Sequence, residues 1–308
     1  MTGNEAVKKI IEEVKKAIVG KDEVIAQVMT AIIADGHILI EDIPGVGKTS
    51  LALAFSRAMS LNYNRMQFTP DVLPSDVTGF TMLNKKTGEF EYKEGAIMCN
   101  LFLADEINRT SSKTQSALLE SMEEGTVTVD SVTHILPTPF NVIATQNPVG
   151  SVGTHMLPES QMDRFMFSVS MGYPQVVDEA KMLKERFGKN PLDDVKPIID
   201  GKGLEIIKKE VNAVYIHDDI YNYIAKISAA SRKMPEIELG ISPRGSVALM
   251  RAAQACAYIK GRNYVVPDDV NDVILPCTKH RILLNAKAKV SGISFNDVLA
   301  KILREAAA

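Results

Sequence analysis

Glu41-Asp42-Ile43-Pro44-Gly45-Val46-Gly47-Lys48-Thr49 is the stretch that decides how this chain is to be read. An apolar run, His37-Ile38-Leu39-Ile40, leads into it, and a helix-favouring run, Ser50-Leu51-Ala52-Leu53-Ala54-Phe55, leads out. Strand, glycine-bearing loop and helix in that order are what a phosphate-binding loop requires. Gly45 and Gly47 let the backbone approach a polyanion with its N–H groups turned inward, and the helix that follows offers its positive end. Lys48 is spaced to reach the β- and γ-phosphates of a nucleotide, and the Thr49 hydroxyl to ligate Mg²⁺. One position departs from the strict G-x-x-x-x-G-K-[ST] pattern: Asp42 stands where the first glycine is expected. Taken alone, the stretch could also be a glycine-rich turn that happens to hold a lysine.

Outward from the loop, the hydrophobic pattern alternates between strands and helices. Upstream, Val7, Ile10, Ile11, Val14 and Ile18 share one helical face, Gly20 breaks that helix, and a second helix near 22–34 turns Val24, Ile25, Val28 and Ile32 inward. Downstream, the chain predicts strands at 64–69, 100–106, 140–147 and 165–170, with a helix over 113–124 that turns Ala117, Leu118, Ser121 and Met122 inward and leaves Glu120, Glu123 and Glu124 largely solvated. Continuous apolar runs such as Leu101-Phe102-Leu103-Ala104 suit parallel strands buried on both faces. Two hairpins interrupt the alternation, one from Gly79 to Gly95 and one around Asp130-Ser131. After Gly172-Tyr173-Pro174 the strand signals fade, and helices are expected near 178–187, 203–210, 218–232, 242–259, 267–280 and 294–305. The fold class expected is therefore α/β, a three-layer parallel sheet over 1–174, followed by an all-helical unit over 175–308.

A phosphate loop needs a partner that holds the metal and activates water. Asp105-Glu106, at the end of a buried strand, supplies two acids: Asp105 for the Mg²⁺ shell and Glu106 to polarise the attacking water. Asn147 closes the next buried strand and can align the same water. In open α/β sheets ligands bind beyond the carboxyl ends of the strands, where Thr49, Asp105 and Asn147 would converge. Arg164 and Arg244 are candidates to stabilise charge on a γ-phosphate, although spacing alone does not separate either from a surface ion pair.

Composition narrows the classes. The 308 residues are 45% hydrophobic and 24% charged, and 35 Lys and Arg against 38 Asp and Glu leave a net charge of −3. That balance gives no electrostatic reason to expect nucleic acid, and the hairpins mix Lys85, Lys86 and Lys93 with Glu89, Glu91, Glu94 and Asp130. Cys99, Cys256 and Cys277 form no C-x-x-C pair, which fits a reducing compartment. No apolar run approaches the roughly eighteen residues needed to cross a bilayer, and residues 1–16 contain no signal-peptide core, so a cytoplasmic protein is expected.

With these residues in view, the chain resembles the MoxR family of AAA+ ATPases over nearly its full length. The resemblance rests on Gly20-Lys21, on Pro44-Gly45-Val46-Gly47-Lys48-Thr49, and on Ala104-Asp105-Glu106-Ile107-Asn108-Arg109. It continues through Lys113-Thr114-Gln115-Ser116-Ala117-Leu118-Leu119-Glu120, Ala144-Thr145-Gln146-Asn147-Pro148, Leu157-Pro158-Glu159-Ser160-Gln161-Met162-Asp163-Arg164-Phe165 and Ser242-Pro243-Arg244. It implies ATP and Mg²⁺ as cofactors, a Walker A loop with Gly45, Val46, Gly47, Lys48, Thr49 and Ser50 at the nucleotide, and a Walker B pair at Asp105 and Glu106. Sensor 1 would be Asn147, the arginine finger Arg164 and sensor 2 Arg244, with Val19, Gly20 and Lys21 beside the adenine. The hairpin at 79–95 would be the helix-2 insert, the one at 126–137 the pre-sensor-1 hairpin, and 175–308 the lid. The family further implies an ATPase that forms a homo-oligomeric ring, a hexamer, and acts as a chaperone-type remodeller with partners bearing von Willebrand A domains. Val152-Gly153-Thr154 carries valine where this family is associated with glutamate. Two other readings share these motifs, a nucleic-acid-remodelling motor and a nucleotide-gated scaffold with little turnover.

Overall fold

The computed structural model describes residues 1–147, 157–185 and 190–307. The Val152 departure and the end of the helix expected over 178–187 lie outside them. Helix α1 (Gly3–Ala17) starts at a capping box made by Thr2 and Glu5 and carries Lys15 and Lys16 in its last turn, which complements its dipole. Helix α2 (Asp22–Ile33) follows, then β1 (Ile38–Glu41), α3 (Lys48–Ala58) and β2 (Tyr63–Gln67). A short α4 (Pro74–Thr78) leads into the hairpin β3 (Gly79–Leu83) and β4 (Phe90–Glu94). Strand β5 (Leu101–Asp105) and α5 (Ser112–Glu124) come next, followed by the hairpin β6 (Thr126–Val129) and β7 (Val132–Ile135), then β8 (Asn141–Gln146), α6 (Glu159–Met162) and β9 (Phe167–Val169).

Among the described residues, five parallel strands form one sheet in the order β2-β5-β8-β1-β9. Strand alternation sorts its side chains between two helical layers. Ile38, Ile40, Leu101, Leu103 and Ile143 pack with α1, α2 and α3, whereas Leu39, Phe102, Ala104, Val142 and Ala144 pack with Leu118, Leu119 and Met122 of α5. The three-layer parallel sheet expected from the sequence is thus observed. On α5, Thr114, Gln115 and Leu119 are also buried, while Ala117 is only half-buried. Gln115 is drawn inward because its amide donates to the carbonyls of Ile107 and Thr110, a demand that hydrophobic periodicity does not register.

The two hairpins touch. The Tyr92 ring of β4 stacks on the His134 ring of β7 with centroids 3.7 Å apart and planes 13° from parallel. The Tyr92 hydroxyl also donates to the Thr78 carbonyl at 2.6 Å, tying the pair to the end of α4.

Beyond β9 the chain is chiefly helical: α7 (Val176–Glu185), α8 (Gly201–Asn212), α9 (Asp218–Lys233), α10 (Pro243–Ile259), α11 (Pro267–Thr278), α12 (Ala286–Val290) and α13 (Phe295–Ala307). A small antiparallel ribbon of β10 (Ile237–Leu239) and β11 (Leu283–Leu284) was not expected, nor was α12. The helical part shares a continuous core with α1–α3 through Leu204, Ile207, Leu249, Ala252 and Val273. It is also pinned to the segment before β9. The buried Arg281 guanidinium bonds Asp163 Oδ1 at 2.7 Å and the Phe165 and Met166 carbonyls at 2.7 and 3.0 Å.

His280 sits beside Arg281, with Nε2–H donating to the Phe165 carbonyl at 2.9 Å and Nδ1 buried without a partner among the described residues. Burial first, then the Arg281 charge, pushes its pKa well below 6.5. The folded chain therefore refuses a proton that the unfolded chain accepts below about pH 6.5. Stability is expected to fall as the pH drops from 6.5, by up to about 1.4 kcal/mol per pH unit from this residue. Urea unfolding across pH 8 to 5 measures that slope, and His280→Gln should remove its share.

Candidate functional site

The phosphate loop lies between β1 and α3. Gly45 and Gly47 have φ of 87° and 98°, the left-handed region that glycine enters without penalty. A Cβ added at Gly45 would meet no atom within 4 Å, so the loop bows around open space. Gly47 caps α3, and the free N–H groups of its first turn face the same space. The Asp42 departure has a structural account. Its carboxylate is buried and accepts from the Gly172 N–H at 2.6 Å, the Ser170 hydroxyl at 3.1 Å and the Ile43 N–H at 3.0 Å, while its carbonyl accepts from Lys48 Nζ at 2.6 Å. Where a glycine would give freedom, aspartate instead fastens the loop entrance to the chain leaving β9.

A cavity of about 610 Å³ opens over the loop. It is lined by Val19, Lys21, Gly45, Val46, Gly47, Lys48, Thr49, Ser50, Asp105, Glu106 and Asn147, from nearly every segment that the sequence nominated for it. β5 and β8 lie side by side in the sheet, which brings Asp105, Glu106 and Asn147 together at the carboxyl edge. Asn147 Nδ2 donates to Glu106 Oε1 at 3.0 Å, and Asn147 Oδ1 is buried with no partner among the described residues. Burial would raise the Glu106 pKa, but hydrogen bonds from Arg109, Asn147 and Gln67 outweigh it and hold the carboxyl below its ordinary 4.5. Lys48 is pushed down from 10.5 by burial, against the pull of Asp105, Asp42 and Glu106.

The cavity also has apolar wall residues, Ile18, Val19, Met171, Tyr173, Met182 and Leu183. Gly20 allows close packing there, since a Cβ would meet the Asp178 carboxylate at 2.2 Å. The Lys21 ammonium is engaged elsewhere, donating to the carbonyls of Met171 and Tyr173.

Arg164 and Arg244 do not reach this cavity. They line a second cleft of about 600 Å³ with Glu123, Asp163, Lys208 and Arg251. The two guanidiniums take one oxygen each of the Glu123 carboxylate, Arg164 on Oε2 and Arg244 on Oε1, and Arg164 also donates to the Leu119 carbonyl at 3.0 Å. Ser242, which caps α10 just before Arg244, donates to Asp163 Oδ2 at 2.7 Å.

The structure adds residues that sequence reasoning missed. Arg65 of β2 bonds Asp105 Oδ2 at 2.7 Å, Arg109 bonds Glu106 Oε2 at 2.7 Å, and Gln67 reaches the Glu106 carboxylate. Only the strand order, which sets β2 beside β5, brings Arg65 and Gln67 here, and no local motif announces it.

These residues fit a nucleotide with its metal. An open backbone cradle, a lysine and an acid at the loop, and an acceptor buried without a partner among the described residues beside a second acid form the donor set such a ligand requires.

Comparison with known proteins bears on the same elements. Residues 37–167 match the model of the ATPase family associated with various cellular activities, and residues 229–302 match the AAA lid domain. Chaperone MoxR1 of Mycobacterium tuberculosis is 35% identical over 98% of this chain and 82% of its own length. The uncharacterised protein YeaC of Bacillus subtilis is 46% identical over 96% of this chain and 92% of its own. A crystallised Cytophaga hutchinsonii protein presumed to be an ATPase superposes with a TM-score of 0.90 at 37% identity, covering 98% of this chain and 94% of the other.

Proposed function

The chain belongs to the MoxR family of AAA+ ATPases, and from that premise we propose that it is a Mg²⁺-dependent ATP hydrolase that forms a hexameric ring and remodels partner proteins. One observation carries the reading: Lys48, Thr49, Asp105, Glu106 and Asn147 line a single cavity at the carboxyl edge of the parallel sheet. Lys48 and the inward N–H groups of residues 45–49 hold the β- and γ-phosphates, and the apolar wall residues, Val19 and Leu183 among them, take the adenine. Thr49 and Asp105 hold Mg²⁺, which when bound supplies the positive charge that the phosphate oxygens need. Glu106, kept ionised by its three hydrogen-bond donors, orients the attacking water, and Asn147 Oδ1 offers that water a second acceptor.

Arg164 and Arg244 lie outside the subunit's own cavity, which supports a site completed by a neighbour. On this reading both arginines act across a subunit boundary, and a von Willebrand A domain protein is the partner that receives the resulting motion. The mixed charge of the two hairpins favours a protein client over nucleic acid. Cys99, Cys256 and Cys277 are free and buried, in keeping with the cytoplasm, and no helix of the described residues is long and apolar enough to cross a membrane.

ATP turnover with Mg²⁺ against EDTA, and sedimentation with and without an ATP analogue, test the proposal together. Absent turnover in the presence of an intact ring would leave a nucleotide-gated scaffold. Stimulation by single-stranded DNA but not by any protein would favour the nucleic-acid motor. Lys48→Ala is expected to weaken ATP binding by about 10- to 100-fold, the loss of one or two charge-assisted hydrogen bonds. Calorimetry measures it, and unchanged affinity would remove Lys48 from the phosphates.

A further inference from the structure

Thr145 lies on β8, two residues before Asn147, and its side chain is fully buried. Its hydroxyl donates to Asp105 Oδ1 at 2.6 Å and accepts the backbone N–H of Glu106 at 2.9 Å. We propose that Thr145 is a positioning residue for hydrolysis, a single oxygen that fixes the metal-shell acid and the water-orienting acid relative to each other. The inference rests on the ATPase reading above and gives a role to a side chain that reading leaves unassigned.

The geometry favours this over a hydroxyl merely satisfied inside a core. A threonine hydroxyl has one proton and two lone pairs. Here the proton is committed to Asp105 and a lone pair to the Glu106 N–H, so one oxygen joins the side chain of the first acid to the backbone of the second. Glu106 needs such a hold. It adopts φ 57° and ψ 46°, the left-handed region that a residue with a Cβ enters only at a cost. That conformation turns the chain sharply at the end of β5 and aims consecutive carboxylates into one cavity. With Asp105 Oδ1 held by Thr145, Oδ2 is the oxygen that faces Arg65. Thr145 on β8 and Asn147, which follows the strand's last residue, both reach the acid pair. Thr145 takes the Asp105 carboxylate and the Glu106 backbone, and Asn147 takes the Glu106 carboxylate. The T-x-N spacing at the end of β8 is therefore one device rather than one functional residue with a neutral neighbour.

The test uses Thr145→Val, which keeps the shape and removes the hydroxyl, against Thr145→Ser, which keeps the hydroxyl, both in the full chain. In the valine variant kcat is expected to fall about 10- to 100-fold with KM for ATP within about twofold, and serine to restore kcat to within about threefold. A second readout needs no turnover: the gain in ATP affinity on adding Mg²⁺, measured by calorimetry, should shrink at least about fivefold with valine and persist with serine. If the valine chain fails to fold by circular dichroism, Thr145→Cys replaces it, with the same expectation from its weak S–H donor. A folded valine or cysteine variant with unchanged kcat and unchanged Mg²⁺ gain overturns the proposal, as does a serine variant no better than valine. A wild-type chain that neither binds nor hydrolyses ATP would instead overturn the functional reading on which it stands.

Discussion

Arg164→Ala subunits are expected to bind ATP as the wild type does and to hydrolyse it about 10³- to 10⁵-fold more slowly, the range observed when an arginine that meets transition-state charge is removed. Binding survives because Arg164 contributes nothing to its own subunit's cavity; its guanidinium lies in the other cleft, on Glu123 and the Leu119 carbonyl. Hydrolysis is expected to fail because, on the reading proposed above, the γ-phosphate it serves belongs to the next subunit. That separation makes a sharper test available. If the site is shared, Arg164→Ala and Lys48→Ala each damage one half of it, and each protein alone is expected to hydrolyse poorly. Mixed, they should form some boundaries where an intact Arg164 faces an intact loop, and part of the activity should return. Full activity in Arg164→Ala would remove the role outright. Inactive single variants that fail to complement, in assemblies shown to mix, would count against action across a subunit boundary.

Glu106→Gln should lower kcat by about 10²- to 10⁴-fold while ATP remains bound, the cost of removing a positioned general base without removing volume. The amide keeps the size of the carboxylate but loses the charge that Arg109 compensates and one of the acceptors that Asn147 and Gln67 use. Retention of labelled ATP through gel filtration, alongside turnover, measures both halves of the expectation. If wild type and variant hydrolyse at the same rate, the chain is a nucleotide-gated scaffold and Glu106 is a strand-end acid. The depressed pKa adds a sign: since the carboxyl is held below 4.5, acid should not silence Glu106 until below that value, and a loss of activity nearer pH 6 would have another cause.

The fold could be read from the chain because its decisive signals are local. The loop at 42–49 carries its strand and helix on either side, and Leu101-Phe102-Leu103-Ala104 is apolar at consecutive positions because both faces of β5 are covered. The five-residue α4 escaped notice since Pro70 and Pro74 read as breakers, yet Pro74 occupies the first helical turn, where a missing N–H costs nothing. The β10–β11 ribbon is too short for a period-two pattern to register. In the site, the loop, the acid pair and Asn147 were legible as motifs. Arg65, Gln67 and Thr145 were not, because each acts through a neighbouring strand and a hydrogen bond that only the sheet order creates. The destinations of Arg164 and Arg244 were equally hidden, as spacing says nothing about which cavity a guanidinium enters.

Glu123 gives one carboxylate to two arginines from distant segments, one before β9 and one at the head of α10. The mutual repulsion of those cations is thus already relieved in a lone subunit, and their spacing is set for a bidentate anion before any arrives. A neighbour's terminal phosphate would enter this cleft by exchange, one anion for another, with no need to gather dispersed charges. Closure of the proposed ring would then be a competition between an internal acid and an external one, tilted by whichever brings more negative charge.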